Sequence, residues 1–335
     1  MPEDIAEWLI PKFEQVSISG RSISQPDESD TEEDEEDEVF VTKDYMVGFG
    51  QQLYQEFAPS SFIRAYETLQ NELGNEFKTI QIYTDEPAIP WELMVPYRSN
   101  QSLGLSHAMA RWIIPKYRSN FTVPNQQLSI QKVYRVTPNY EGNLKLYATA
   151  AESRFIGQLF GTRSESVEAR YATVKSLLQQ TDASIIHYSG HGYARRDNAQ
   201  NVVDYGLILE DERLKALNWR GMLVGNQNSS LMFFNACEVG LAERTAGFVD
   251  GWSQVLTDTG SRGFISSLSE LGDRGAAGFS KRFYTELDHQ IKINGKANVA
   301  ELIRQSKLKF NRSENPTDIA YVYYGDVGLE VDIQP

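Results

Sequence analysis

From residue 45 onward the apolar positions fall into two recurring spacings. Between Tyr45 and Phe57, and again between Ser61 and Leu73 (SFIRAYETLQNEL), they return every three or four residues, the period of a helix with one buried face. Gly74 follows as a helix stop. Thr79 to Thr84 (TIQIYT) reads as a short strand. PAIPWELMVPY, from Pro87 to Tyr97, sets three prolines around Trp91 and Glu92 and suits a rigid buried corner better than a regular element.

From Leu144 the pattern becomes one of apolar runs, many β-branched, alternating with amphipathic stretches. Strands are expected at Leu144 to Thr149, Ser184 to Tyr188, Gly206 to Leu209, Leu231 to Phe234 and Gly263 to Ser267, with a last one near Ala320 to Tyr324. Helices are expected at Ser164 to Gln179, Ala242 to Leu256, Ala276 to Leu287 and Val299 to Lys309. Runs apolar on both faces, separated by helices, describe an α/β fold whose mostly parallel sheet is covered on both sides. No internal period of 20 to 50 residues suggests a solenoid.

The N-terminal region differs. Asp4 to Val16 (DIAEWLIPKFEQV) clusters Trp8, Leu9 and Phe13 and reads as a short docking helix broken at Pro11. Ten of the twelve residues from Asp27 to Glu38 are acidic, and a block of like charge with nothing to bury reads, from about Ser17, as a disordered linker. Residues 1–38 therefore form an N-terminal segment, residues 39–130 a smaller α/β lobe, and residues 131–335 a larger lobe. The net charge of −14 argues against binding nucleic acid, and most of it sits in the acidic block. The acidic run reads first as a solvated spacer; the alternative is that the segment regulates access to the larger lobe, with its acids facing bases such as Arg195 and Arg196.

Composition narrows the classes further. The chain has 335 residues and a 41% hydrophobic fraction, enough to build a core. No window approaches the roughly 18 apolar residues of a membrane helix, and the opening MPEDIAEWLIPKF carries acids where a signal peptide carries lysines. A soluble, cytoplasmic protein with no membrane partner is the expectation. Cys237 is the only cysteine, so an internal disulfide framework and a cysteine-based metal cluster are excluded. Only His187 and His191 stand close together, and with a single cysteine and two remote histidines they make no complete zinc set, so neither a metal nor another cofactor is expected.

Candidate chemistry concentrates where two expected strands end, which is where open α/β sheets form their crevices. SIIHYS runs into Gly190-His191-Gly192, and LMFF runs into Asn235-Ala236-Cys237-Glu238. A lone cysteine is more often a small buried hydrophobe, and a Gly-His-Gly turn is common in loops. Here the thiol follows the apolar run instead of lying within it. The imidazole stands 46 residues earlier, room for one intervening strand, so the two side chains can meet at one crevice. A base, a thiol and nearby backbone N–H groups are the parts of nucleophilic acyl transfer. His187 lies inside its strand and reads as a supporting residue, while His107 and His289 have no comparable setting.

IIHYSGHG (185–192) and LMFFNACEVG (231–240) resemble the histidine and cysteine motifs of the CHAT domain, a family of caspase-like and separase-like bacterial cysteine peptidases of clan CD. IPWELM (89–94), GFISSL followed by FSKRFYTEL (263–287) and YVYYGD (321–326) resemble further family strings in the family's order. The resemblance implies a caspase-like three-layer α/β/α sandwich preceded by the smaller N-terminal lobe. It implies His191 as general base, Cys237 as nucleophile, and the N–H groups of Gly192 and Cys237 as the oxyanion hole. It also implies that a peptide substrate adds as a strand near Phe264 to Leu271. Substrate contacts are expected at Asn235, Ser269 and Glu270. Many relatives carry a tryptophan where Ser269 stands, and relatives cutting after Arg or Lys often carry an acid where Asn235 stands. The function implied is a cysteine endopeptidase acting on protein substrates, a regulated effector of bacterial signalling or defence switched by an activator protein or sensor. The alternative is a catalytically weak docking or scaffold module on the same fold.

Overall fold

The structure, a computed structural model, describes residues 32–84, 89–113, 126–178, 183–196, 202–222, 229–236, 242–245, 248–268, 272–310 and 321–333. The expected docking helix at residues 4–16 lies outside them. Helix α1 (Glu32–Phe57) begins inside the acidic block, so its backbone is helical from Glu32 where the sequence reads as linker. Helix α2 (Ser60–Leu73) ends at Gly74, whose φ of 51° and N–H bond to the Gln70 carbonyl make the expected stop.

The elements that follow are β1 (Thr79–Thr84), α3 (Leu103–Ser106), β2 (Ala108–Ile113), β3 (Gln127–Ser129), β4 (Lys132–Val136), α4 (Thr149–Phe160), β5 (Ser164–Val167), α5 (Tyr171–Leu178) and β6 (Ala183–Ser189). Then come β7 (Gly192–Arg196), β8 (Val202–Ile208), β9 (Arg213–Lys215), α6 (Ala216–Met222), β10 (Leu231–Asn235), β11 (Ala242–Thr245), β12 (Phe248–Gly251) and α7 (Trp252–Asp258). The chain closes through β13 (Gly263–Ser267), α8 (Asp273–Asn294), β14 (Ala297–Asn298), α9 (Val299–Phe310), β15 (Tyr321–Gly325) and β16 (Glu330–Asp332).

Three expected elements differ. Leu144 to Thr149 is not a strand: Gly142–Leu144 is a 3-10 turn and Thr149 opens α4. Leu144 and Tyr147 stay 48% and 77% exposed, so no second layer covers that alternating stretch. Ser164 to Gln179 splits into an exposed edge strand and a shorter helix, because SESV offers no apolar face to bury. Ala242 to Leu256 begins with an antiparallel hairpin, and only Trp252 onward is helical.

One sheet of eight strands, ordered β1-β2-β15-β13-β10-β6-β4-β5, organises the molecule. Every neighbouring pair is parallel except β13 with β15, so two parallel blocks meet there in opposite directions. β6, β10, β13 and β15 are buried along their whole length, as strands covered on both faces must be. Alternation along β10 sends Met232 and Phe234 to one core with Val174 of α5, Trp219 of α6 and Trp252 of α7. Leu231 and Phe233 go to the other, with Ile156 of α4, Phe279 and Phe283 of α8 and Leu302 of α9. Helices on both faces of a mostly parallel sheet make the expected three-layer sandwich.

A third core, from Phe49, Leu53, Tyr66, Ile80, Trp91 and Met109, holds the N-terminal part. The proline-rich corner is a buried 3-10 turn at Trp91–Leu93. Its buried Glu92 accepts from Arg111 Nη2 at 2.8 Å, and the Arg111 guanidinium also lies 4.9 Å from the Tyr324 ring centre. Among the described residues no helix is long and apolar enough to cross a membrane.

Candidate active site

β6 and β10 are adjacent and parallel, with Ser189 opposite Asn235 as the last register pair. His191 and Cys237 each follow two residues after that pair, so the topology delivers both motifs to the same end of the sheet. Cys237, Ser269 and Glu270 themselves lie outside the described residues. His191 is described in full.

The first glycine of Gly190-His191-Gly192 answers to close packing. A Cβ on Gly190 would stand 2.7 Å from the hydroxyls of both Tyr140 and Tyr188. These two tyrosines form a shelf under His191. Their hydroxyls are 3.0 Å apart, and each lies within bonding distance of the Ile208 carbonyl. The Tyr140 hydroxyl accepts from the His191 N–H at 2.9 Å, and its ring centre is 4.8 Å from the imidazole. The shelf thus holds both the main chain and the ring.

The imidazole also reaches the Leu144 carbonyl, through Nε2 at 2.8 Å. A carbonyl oxygen only accepts, so Nε2 carries the hydrogen and Nδ1 is the nitrogen with the available lone pair. The segment carrying Leu144 is itself anchored: the Asp273 carboxylate at the start of α8 accepts from the N–H groups of Tyr147 at 2.7 Å and Ala148 at 2.9 Å.

Gly192 opens β7 opposite Leu207 of β8. The neighbouring His191 carbonyl takes the ladder bond from the Ile208 N–H at 2.9 Å. Antiparallel residues alternate between bonded and unbonded pairs, so the Gly192 N–H turns away from β8.

Asn235 is fully engaged elsewhere. Its buried side chain donates through Nδ2 to Glu152 Oε1 at 2.8 Å and accepts from the Tyr321 hydroxyl. Strand alternation aims it at the α4 and α8 layer, the face opposite the one that receives Phe234. In β13, Gly263 to Ile265 are paired on both edges, by β10 and by β15. A peptide strand expected along Phe264 to Leu271 is thereby confined to the part beyond Ile265.

Sequence reasoning missed the roles of Glu152, Tyr140 and Leu144. Glu152 sits in the first turn of α4 and is buried, yet it accepts from His187 Nε2 at 2.8 Å, Ser189 Oγ at 2.7 Å and Asn235. Burial by itself would raise its pKa. The hydrogen bond and electrostatic pull of His187, then the Ser189 bond, outweigh that and hold the carboxyl below its ordinary value. Burial, and after it the Glu152 charge, pushes Tyr284 well above the usual phenol range, so its hydroxyl keeps its proton, 3.1 Å from His187 Nδ1. His187, 0% exposed, is thus a supporting residue, as its place within the strand suggests. The signal available in the sequence was a charged residue at position 152 in line with Ile156 and Phe160, four and eight residues on, along the buried stripe of a helix. His107, bonded to the Tyr66 hydroxyl and the Phe77 carbonyl, belongs to the N-terminal core.

A mixed sheet between helical layers, with a histidine held at the crevice end of a central strand, defines a caspase-like peptidase fold. The model of the CHAT domain family matches residues 48–324, and the chain belongs to that family. Among solved structures, the Arg-specific cysteine proteinase gingipain R aligns with a TM-score of 0.51 at 11% identity, over 86% of this chain and 74% of that one. Separase of Saccharomyces cerevisiae, in complex with securin, aligns at 0.47 and 16% identity over 76% of this chain, which spans 16% of the separase chain. Caspase-1 of Spodoptera frugiperda aligns at 0.37 and 11% identity, over 65% of this chain and 95% of that one. A search of the curated proteins returns no match. The family match and the gingipain R alignment agree on the fold.

Proposed function

We propose that the protein is a cysteine endopeptidase in which Cys237 is the nucleophile and His191 the general base. The observation that supports this most is the Leu144 carbonyl on His191 Nε2, which leaves Nδ1 as the proton acceptor at the end of the strand beside the one leading to Cys237. In the reaction the thiol proton passes to Nδ1 while the sulfur attacks the scissile carbonyl carbon. The oxyanion of the tetrahedral intermediate accepts from the N–H groups of Gly192 and Cys237. Collapse breaks the C–N bond, and the leaving amine takes the proton from the imidazolium. Water then adds to the thioester with Nδ1 as base, releasing the acid and restoring the thiol.

In this reading residues beyond Ile265, with Ser269 and Glu270, contact the substrate, and Asn235 acts through Glu152. The substrate is a protein, and an activator protein or sensor switches the enzyme within a bacterial signalling or defence pathway in the cytoplasm. The CHAT family match supports the protein substrate, and the Asn235 bond to Glu152 supports the role given to Asn235.

The test is hydrolysis of a mixed peptide library, followed by mass spectrometry of new termini. Cleavage should appear with the wild-type chain and fall by about a hundredfold or more in Cys237→Ala and in His191→Ala, with the double variant no worse than either. Unchanged cleavage in Cys237→Ala overturns the proposal.

A further inference from the structure

We infer that Glu152 is a positioning residue whose one carboxylate, bonded to Ser189 and Asn235 together, sets the spacing of the strand ends that deliver His191 and Cys237. The inference rests on the peptidase reading and adds a residue to it.

The need for such a tie follows from the topology. Ser189 and Asn235 are the last register pair of β6 and β10. Just beyond them the Gly190 N–H reaches the Asn235 carbonyl at a long 3.3 Å. The two chains then diverge, one into β7 and the other toward the hairpin of β11 and β12. Among the described residues the strand register ends at Ser189 and Asn235, two positions before His191 and Cys237 in the sequence. Reacting atoms tolerate little error: about 1 Å of misplacement can cost about a hundredfold in rate.

Glu152 supplies the missing tie at that level of the sheet. Oε2 accepts from Ser189 and Oε1 from Asn235, so the carboxylate spans the two strands. The same residue lies in the first turn of α4, and the segment entering α4 carries the Leu144 carbonyl that holds His191 Nε2. One side chain thus connects three segments of the site. Apolar residues could fill this volume without burying a charge, which costs free energy even when paired. What a carboxylate adds is direction, since Ser189 and Asn235 must both point at it.

Of the groups facing it, β6 contributes His187, α8 contributes Tyr284 and β10 the neutral Asn235. Arg135 of β4 binds the Ser153 carbonyl and hydroxyl at the same level of α4.

Because Cys237 is the only cysteine, the rate of alkylation by iodoacetamide between pH 5 and 10 reports on that thiol alone. The full chain is compared with His191→Ala, Glu152→Gln, the exchange Glu152→Gln/Asn235→Asp, and Glu92→Gln, a buried carboxylate remote from the site. Wild type should show a limb at neutral pH that His191→Ala removes. Glu152→Gln should slow that limb about tenfold or more and move the midpoint toward the ordinary thiol value of about 8.5. The exchange, which returns one carboxylate and one amide to the pair, should recover most of the rate. Glu92→Gln should lower the melting temperature and leave the profile in place.

A wild-type profile in Glu152→Gln, while His191→Ala loses the limb, overturns the positioning role. So does a failure of the exchange to restore the rate. Wild type lacking a His191-dependent limb overturns the peptidase reading instead, and the inference with it. Should Glu152→Gln not fold, Ser189→Ala decides: removal of that one bond should slow the limb at least threefold, and an unchanged rate counts against the role.

Discussion

His191 Nε2 lies 2.8 Å from the carbonyl oxygen of Leu144, a contact that fixes which imidazole nitrogen can take a proton. A glutamine amide could donate to the same carbonyl but has no basic nitrogen. His191→Gln should therefore keep its denaturation midpoint, with a change within about 0.5 kcal/mol, while reactivity at Cys237 falls about a hundredfold or more. Urea denaturation alongside the alkylation rate checks both halves. A large loss of stability would mean that the ring is a packing element first.

Gly190 meets two hydroxyls at once. A methyl group there would stand 2.7 Å from both Tyr140 and Tyr188 oxygens, closer than real contacts allow. Gly190→Ala should cost about 1–3 kcal/mol and displace the His191 main chain that Tyr140 holds. Loss of reactivity should exceed what the unfolded fraction explains. Wild-type alkylation of the folded variant would show that the tyrosine shelf yields without moving His191.

The parts of this architecture that could be read from the sequence are those governed by continuous apolar runs. IIHYS, LMFF, GFISS and YVYY are strands because both faces are buried, and the Gly-His-Gly turn after the first is legible for the same reason. β4 was not legible, because Lys132 and Arg135 interrupt KVYRV. The Arg135 guanidinium is absorbed by Ser164 Oγ and the Ser153 carbonyl, long-range partners that no local pattern shows. LKLYAT failed the other way: its alternation is genuine, but no layer covers Leu144 and Tyr147. At the site, His191 follows a strand and can be found, whereas Glu152 matters only through residues on β6 and β10 that lie 35 or more positions away.

The buried pair of Glu92 and Arg111 should behave as a coupled unit. Arg111→Met leaves a carboxylate without its cation and should cost about 3–5 kcal/mol, whereas Arg111→Met with Glu92→Leu should recover much of that loss. A double-mutant cycle by urea denaturation measures the coupling. Additive costs would place the stabilising contacts of Arg111 elsewhere, on the Ile89 carbonyl and the Tyr324 ring.

Glu152 should also leave a signature in acid. Its folded pKa lies below the ordinary value, so its contribution to stability is present above the unfolded pKa, about 4.3, and is lost as pH falls through the lower folded value. Stability measured from pH 7 down to pH 3 should drop less steeply below about pH 4.5 in Glu152→Gln than in the wild type. Equal acid slopes would mean that the carboxyl titrates as an ordinary one.

The pairing of His191 with Cys237 is tested most directly by covalent trapping with a pool of peptidyl acyloxymethyl ketones, the adduct being located by tandem mass spectrometry. The wild-type chain should form one thioether, at Cys237, about a hundredfold or more faster when folded than when unfolded in urea, and His191→Ala should lose that advantage. Equal labelling rates in the folded wild type, in His191→Ala and in the unfolded chain would contradict the account, because the thiol would then owe nothing to the fold around it.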